Sequence, residues 1–198
     1  MQNYLGSDYN ALHPIVLSCI SRQMISFEPI FANDGYRPNV GIVICNSKGE
    51  VFWARRINDD GWQFPQGGVS RNEGLVEAMY RELEEETGLR STQVKLVAHT
   101  KQWLHYDLPP KLLKNQRRRS QLGQRKRVSF KGQKQVWFLV ELIDDDSAVN
   151  LKTGLEQPEF ADWRWVKTSH AIDNIVDFKR SVYKKAMEEL EQFLPSQQ

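Results

Sequence analysis

The segment from Gly67 to Leu89 constrains this 198-residue chain more than any other. Two glycines, Gly67 and Gly68, precede a stretch, 73–87, with no proline and one interior glycine, Gly74. Its apolar residues Leu75, Val76, Met79 and Leu83 recur at helical spacing, and Gly88 is a natural left-handed stop. The spacing predicts a helix over 73–87 whose apolar face needs cover. On that helix Glu82, Glu85 and Glu86 fall at i, i+3 and i+4, which places three carboxylates on one face within a turn. Like charges so close destabilise a helix unless something compensates. Two readings stand: a solvated acidic face, or a cluster that holds a hard divalent cation such as Mg²⁺, which takes oxygen ligands. The glycines favour the second, because backbone without Cβ atoms lets carbonyl oxygens approach a metal. Glu73 and Arg81 lie about two turns apart, close enough to pair and brace the loop–helix junction.

Around this helix the pattern reads as strands. Val40–Cys45 is a β-branched run that suits a buried strand. Asn46–Gly49 supplies turn residues, and Glu50–Arg55 reads as the second arm of a hairpin. Residues 57–61 read as a loop and Gln66–Gly68 as a glycine turn. Residues 92–99, 135–142 and 162–166 read as further strands. Residues 169–193 read as helical, with a break near Asp177. No internal repeat is evident. Strands on both sides of a central helix, with a terminal helix, imply an α/β fold: a mixed β-sheet sandwiched between α-helices.

Charge has to be counted in pieces. The chain carries 27 Lys and Arg against 25 Asp and Glu, a net charge of +2. Residues 101–135 alone hold eleven bases against one acid, Asp107, and are therefore +10; the rest is −8. Such asymmetry points to a polyanionic partner or to a solvated basic loop. No apolar run reaches the roughly 20 residues of a membrane span. Two cysteines, Cys19 and Cys45, are too few for a disulfide framework and fit a reduced, cytoplasmic compartment. Residues 1–30 break any strong period and read as an N-terminal extension, within which Met24 is an alternative start. The expected organisation is this extension, a domain over 31–193 with a basic loop, 111–134, inserted, and a tail, 194–198.

Gly67, five residues, Glu73, seven residues, then Arg81-Glu-Leu-x-Glu-Glu-x-Gly-Leu89 resembles the Nudix box at every defined position. Nine specified positions over one continuous segment are a specific signal. The resemblance implies the Nudix fold and hydrolysis of a phosphoanhydride bond with Mg²⁺ or Mn²⁺. It gives Glu82, Glu85 and Glu86 the metal-ligand positions, Glu73 and Arg81 the bracing positions, and a carbonyl near Gly67 a place in the metal shell. Asp34-Gly-Tyr-Arg-Pro-Asn-Val-Gly-Ile, Trp53-Ala-Arg-Arg, Trp62-Gln-Phe-Pro-Gln-Gly-Gly, Gly132-Gln-Lys-Gln, Pro158-Glu-Phe and Trp163-Arg-Trp-Val extend the likeness from about Gly35 to about Leu190. They are similar to the branch of the family that acts on the 5′-triphosphate end of RNA.

That branch implies removal of pyrophosphate to leave a 5′-monophosphate, a step that promotes messenger decay. Arg37 and Arg56 then fall in segments that handle phosphate, although on sequence alone a surface ion pair is an equal reading. Gln133, Phe178 and Lys179 match positions that contact the RNA end. Without the resemblance, Phe178 reads first as core packing on an amphipathic helix. Glu159 becomes a distal carboxylate that closes the metal site or activates water. The general base is one of Glu85, Glu86 and Glu159. The expected partner is triphosphorylated RNA, with no DNA or membrane partner, bound by a monomer. The rival readings are a dinucleoside polyphosphate hydrolase of the same family and a non-catalytic RNA-binding module on the same fold.

Overall fold

The computed structural model describes residues 30–57, 61–113, 130–152 and 158–196. Its strands are β1 (Tyr36–Cys45), β2 (Val51–Arg56), β3 (Trp62–Gln63), β4 (Gln66–Gly68), β5 (Val94–His99), β6 (Leu104–Asp107), β7 (Gly132–Leu142) and β8 (Phe160–Val166). The helices are α1 (Leu75–Thr87), α2 (Thr168–Asn174) and α3 (Asp177–Leu190). The strands form one mixed sheet in the order β3-β2-β1-β7-β5, with β4 on β1, β6 on β7 and β8 on β2. Its spine is the parallel ladder of β1 with β7, which runs unbroken from Tyr36 opposite Gly132 to Cys45 opposite Glu141. The other pairings are antiparallel.

Alternation along β1 and β7 divides the core in two. Val40, Ile42 and Ile44, with Val136, Phe138 and Val140, pack on Ala78, Met79 and Leu83 of α1. Val43 and Cys45, with Trp137 and Leu139, pack on Val182, Tyr183, Ala186 and Met187 of α3 and on Ala171 of α2. A central strand buried on both faces needs a continuous apolar run, and 40–45 supplies it. This is the expected sheet between helices. On the α3 side Phe64 stacks on Tyr183 with ring centroids 5.2 Å apart, and the Phe64 N–H donates to the Tyr183 hydroxyl at 3.2 Å.

The hairpin between β1 and β2 follows from its turn residues. Asn46 Oδ1 accepts from the Lys48 and Glu50 N–H groups, each at 3.0 Å, and Gly49 takes φ 74°. Helix α1 starts two residues later than expected. The Gly74 N–H donates to the Glu77 carboxylate at 2.8 Å, and Gly88, at φ 75°, returns its N–H to the Glu84 carbonyl.

Three expectations need correction. Gln66–Gly68 is not a free turn but β4, laid antiparallel on β1 with Val40 opposite Gly67; a pairing so distant in sequence leaves no local pattern. Val76 lies at helical spacing but faces solvent, 40% exposed, because the buried stripe runs through Ala78, Met79 and Leu83. The expected break near Asp177 is present: the C-terminal segment is two helices separated at Ile175–Val176, with a 3₁₀ turn at Glu191–Phe193. The basic insertion ends earlier than expected, since residues 132–134 already belong to β7. Within it, Lys134 is fully buried, paired with Asp34 at 2.7 Å and set over the Trp103 ring, and Lys131 lies over Tyr36. Lys134 is a structural cation. Strands β3 and β6 were not expected at all: each is short, and Pro109 and Pro110 lie just beyond β6. Residues 1–29 and 114–129, which include the N-terminal run, Met24 and Arg117–Arg119, lie outside the described residues.

Leu83→Ala should cost about 2–5 kcal/mol, since it opens a cavity between α1 and the sheet. Val76→Ala should stay within about 0.5 kcal/mol. Urea unfolding of the two variants beside the parent checks both.

Candidate active site

Helix α1 lays its acidic face along β4, and the two glycines allow the approach. A Cβ on Gly67 would fall inside the Glu82 carboxylate, and a Cβ on Gly68 would fall on the Arg37 guanidinium. Strand β1 carries Arg37 and positions it opposite Gln133 of β7. The site therefore lies where β4 and the start of β1 meet α1.

Arg81 organises the junction. Its Nε and one terminal nitrogen grip Glu73 as a fork, at 3.0 and 2.7 Å. The same nitrogen donates to the Gly68 carbonyl at 2.8 Å, and the other reaches Glu82 at 2.7 Å and Glu85 at 3.1 Å. Two parallel charge-assisted bonds fix geometry as well as charge. The Arg81 bond holds the Glu73 carboxyl down to about 2 against an ordinary 4.5. Pairing of Glu73 with Arg81 is thus present, and Arg81 reaches further than spacing indicates.

The remaining carboxylates feel burial and one another. Burial pushes the Glu82 carboxyl up, helped by the Glu85 charge and opposed by Arg81 and Arg37. Glu86 is pushed well above the carboxylate range, first by burial and then by the charges of Glu82 and Glu159; the Gln66 N–H, which donates to it at 3.0 Å, and Lys179 act in the opposite sense. Glu159, just before β8, is tied to Arg56, which donates to it at 2.9 Å. Its backbone carbonyl accepts from the Ile57 N–H at 3.0 Å.

Among the described residues, no three acidic, histidine or cysteine side chains converge tightly enough to cage an ion as they stand. The donor set nevertheless fits a hard divalent cation. It consists of carboxylate and carbonyl oxygens, crowded and partly buried so that their own charges raise the cost of ionisation. Glu82 and Glu85 spend their charge on Arg81, the counter-ion in this arrangement.

The substrate candidates divide. Lys179 is nearly buried, and its Nζ donates to Gln63 at 3.0 Å and to Gln66 at 3.2 Å. Phe178 is half-buried with its ring 5.8 Å from that of Tyr106. Gln133 accepts from the Tyr106 hydroxyl at 2.7 Å. Sequence reasoning passed over Gln66, Gln63, Tyr106, Gln135 and Asn39 as individual site residues. Neutral amides carry no charge pattern, and the only signal for Tyr106 was its alternation with Leu104.

The depressed Glu73 pKa sets a pH dependence. The Glu73–Arg81 pair stabilises the fold fully above about pH 4.5, and that contribution is lost as pH falls towards about 2. Parent minus Glu73→Gln unfolding free energy should therefore be largest near neutrality and shrink through that window. Denaturant titrations of both proteins at a series of pH values measure it.

Comparison with known proteins agrees with this geometry. The NUDIX domain family matches residues 35–186. An RNA pyrophosphohydrolase of Haemophilus ducreyi is 51% identical over 156 residues, 79% of this chain and 75% of that protein. One of Haemophilus influenzae is 48% identical over 156 residues, 79% and 74% of the two chains. Among solved structures, the Escherichia coli dihydroneopterin triphosphate pyrophosphohydrolase superposes with a TM-score of 0.57 at 17% identity, over 76% of this chain and 95% of that one; this likeness concerns the fold alone. With its box intact on α1 and the family matched over most of its length, the chain belongs to the Nudix family.

Proposed function

We propose that this chain is a Nudix pyrophosphohydrolase that removes pyrophosphate from the 5′-triphosphate end of RNA and leaves a 5′-monophosphate, a step that promotes messenger decay. The observation that carries the reading is the box itself. Its carboxylates on α1 lie against a glycine strand, beside Arg37 and near a buried lysine. The relatives that are about half identical over most of the chain are named RNA pyrophosphohydrolases.

Nudix hydrolases generally use divalent cations; here Mg²⁺ or Mn²⁺ is proposed. Glu82, Glu85, Glu86 and Glu159, with the Gly67 carbonyl, would hold the metal. A bound divalent cation neutralises phosphate oxygens and lowers the pKa of the attacking water. The chain's own groups do the rest. Arg37 and Arg56 take up the charge of the triphosphate. A carboxylate among Glu85, Glu86 and Glu159 receives the proton of the water as it attacks phosphorus. Phe178 offers a ring face to an unstacked base, a contact worth about 1–3 kcal/mol and tolerant of sequence. Glu73 and Arg81 keep α1 against β4 throughout. A monomer is the proposed working form. No helix among the described residues is long and apolar enough to cross a membrane.

Glu85→Gln and Glu86→Gln should each lower turnover by orders of magnitude while circular dichroism stays unchanged. Gly67→Ala should act likewise, because its methyl displaces the Glu82 carboxylate. The assay is pyrophosphate release from a 5′-triphosphorylated oligonucleotide with and without Mg²⁺; parent-like rates in both glutamine variants would refute the assignment. Faster turnover of a dinucleoside tetraphosphate than of this RNA would favour the related hydrolase. The segment rich in arginine makes a separate prediction. Replacing Arg117, Arg118 and Arg119 with Gln should weaken RNA binding and flatten its salt dependence, read by fluorescence anisotropy at several salt concentrations.

A further inference from the structure

Glu159 is held at its backbone and at its carboxylate, and the two holds differ in how readily they yield. The backbone is fixed. Strand β8 carries one extra residue, Ala161, where Arg55 lies opposite Asp162 and Arg56 opposite Phe160. Phe160 is buried in the core, and the Glu159 carbonyl accepts from the Ile57 N–H at 3.0 Å. A bulge re-aims the side chains beside it, and here the Glu159 carboxylate turns to Arg56, whose Nε donates to it at 2.9 Å. The two side chains are 33% and 35% exposed. An ion pair so open to water contributes little stability, and it can part without moving the backbone. The fork of Arg81 on Glu73 is the opposite case, because there two bonds hold a carboxylate only 14% exposed.

Both partners of the open pair are wanted elsewhere. In the function proposed above, on which this inference rests, Glu159 is the distal carboxylate of the metal site and Arg56 takes up phosphate charge. Each demand competes with the pair. A guanidinium in contact with a ligand carboxylate opposes a divalent cation there, because like charges at close range repel. A guanidinium already neutralised by a carboxylate attracts a triphosphate less. As the side chains stand, no three acidic, histidine or cysteine groups among the described residues converge to hold an ion, and Glu159 is engaged with Arg56. A 5′-triphosphate offers Arg56 several negative charges in place of one. We propose that the Arg56–Glu159 pair is a releasable latch: in the free chain Arg56 restrains Glu159 from the metal site, and the triphosphate draws Arg56 off and frees Glu159 to join the metal. Arg56 is then a positioning residue for Glu159 besides its part in taking up phosphate. Substrate and metal each tighten the binding of the other, as linkage requires.

The test is a double-mutant cycle on the full chain, read by binding and not by turnover. Free Mn²⁺ is measured by electron paramagnetic resonance with no RNA present. Glu159→Gln should weaken Mn²⁺ binding, since it removes a ligand. Arg56→Gln should tighten it about fivefold, the lower end of coupling between two sites. With Glu159→Gln already in place, Arg56→Gln should bring no tightening. Parent-like or weaker Mn²⁺ binding in Arg56→Gln overturns the latch, as does unchanged binding in Glu159→Gln. A tightening that survives the loss of Glu159 also overturns it, since Arg56 would then act as a general repulsive charge. The substrate arm runs in EDTA, by fluorescence anisotropy. There Glu159→Gln should bind a 5′-triphosphorylated oligonucleotide about fivefold more tightly than the parent does, and the same oligonucleotide with a 5′-hydroxyl equally well. A gain on both oligonucleotides, or on neither, overturns the release by substrate. This arm needs only Glu159→Gln, so it decides even where Arg56→Gln does not fold. If the parent releases no pyrophosphate with Mg²⁺, the proposed activity fails, while the Mn²⁺ cycle, which uses no substrate, still decides whether Arg56 restrains Glu159.

Discussion

The fork between Arg81 and Glu73 is the interaction on which the rest of the site depends. One guanidinium reaches Glu73, the Gly68 carbonyl, Glu82 and Glu85. It therefore joins the start of α1, the strand β4 and the acidic face of α1 in one set of bonds. Remove it, and Glu82 and Glu85 would lose the cation that offsets their mutual repulsion. Lysine could not replace it, because a point charge has no planar fork with which to hold Glu73 and still reach two other carboxylates.

This arrangement is possible because the sheet is rigid beneath it. The parallel ladder of β1 with β7 is covered on one face by α1 and on the other by α3. Strand β1 thus holds Arg37 and Asn39 at fixed register opposite Gln133 and Gln135, and β4 is hung on the same strand. Core and site share their framework. The residues that place the chemistry differ from those that fill the core only in which end of the strand they occupy. Between the two lies a buried layer of amides with one ammonium. A half-satisfied buried network is costly, whereas a satisfied one specifies a unique arrangement.

Charge in the sequence had two meanings that only the structure separates. The acids of α1 are clustered where the proposed cation would sit. Part of the basic segment is something else. Lys134 is sealed in the core against Asp34 and Trp103, and Lys131 covers Tyr36. A linear count assigns these lysines to the same basic run as Arg117–Arg119, because it cannot register that β7 has already begun.

What the sequence determined by itself is the chemistry that local spacing encodes. The helix read over 73–87, its stop at Gly88, the carboxylates at i, i+3 and i+4 and the reach from Glu73 to Arg81 all follow from the geometry of one helix, and the box that contains them names the family. The strands that fill the core were legible from their β-branched runs. What only the tertiary structure decided is how distant segments meet. Gln66–Gly68 became a strand because β1 lay beside it, Glu159 found Arg56 across about a hundred residues, and Lys179 met Gln66 from the far face of the sheet. Pairings of that kind depend on loop closure and packing, which leave no period in the sequence, and the amides concerned carry no charge to mark them. Local geometry therefore announced the acidic helix, and the fold alone determined which polar groups face it and in which direction they donate.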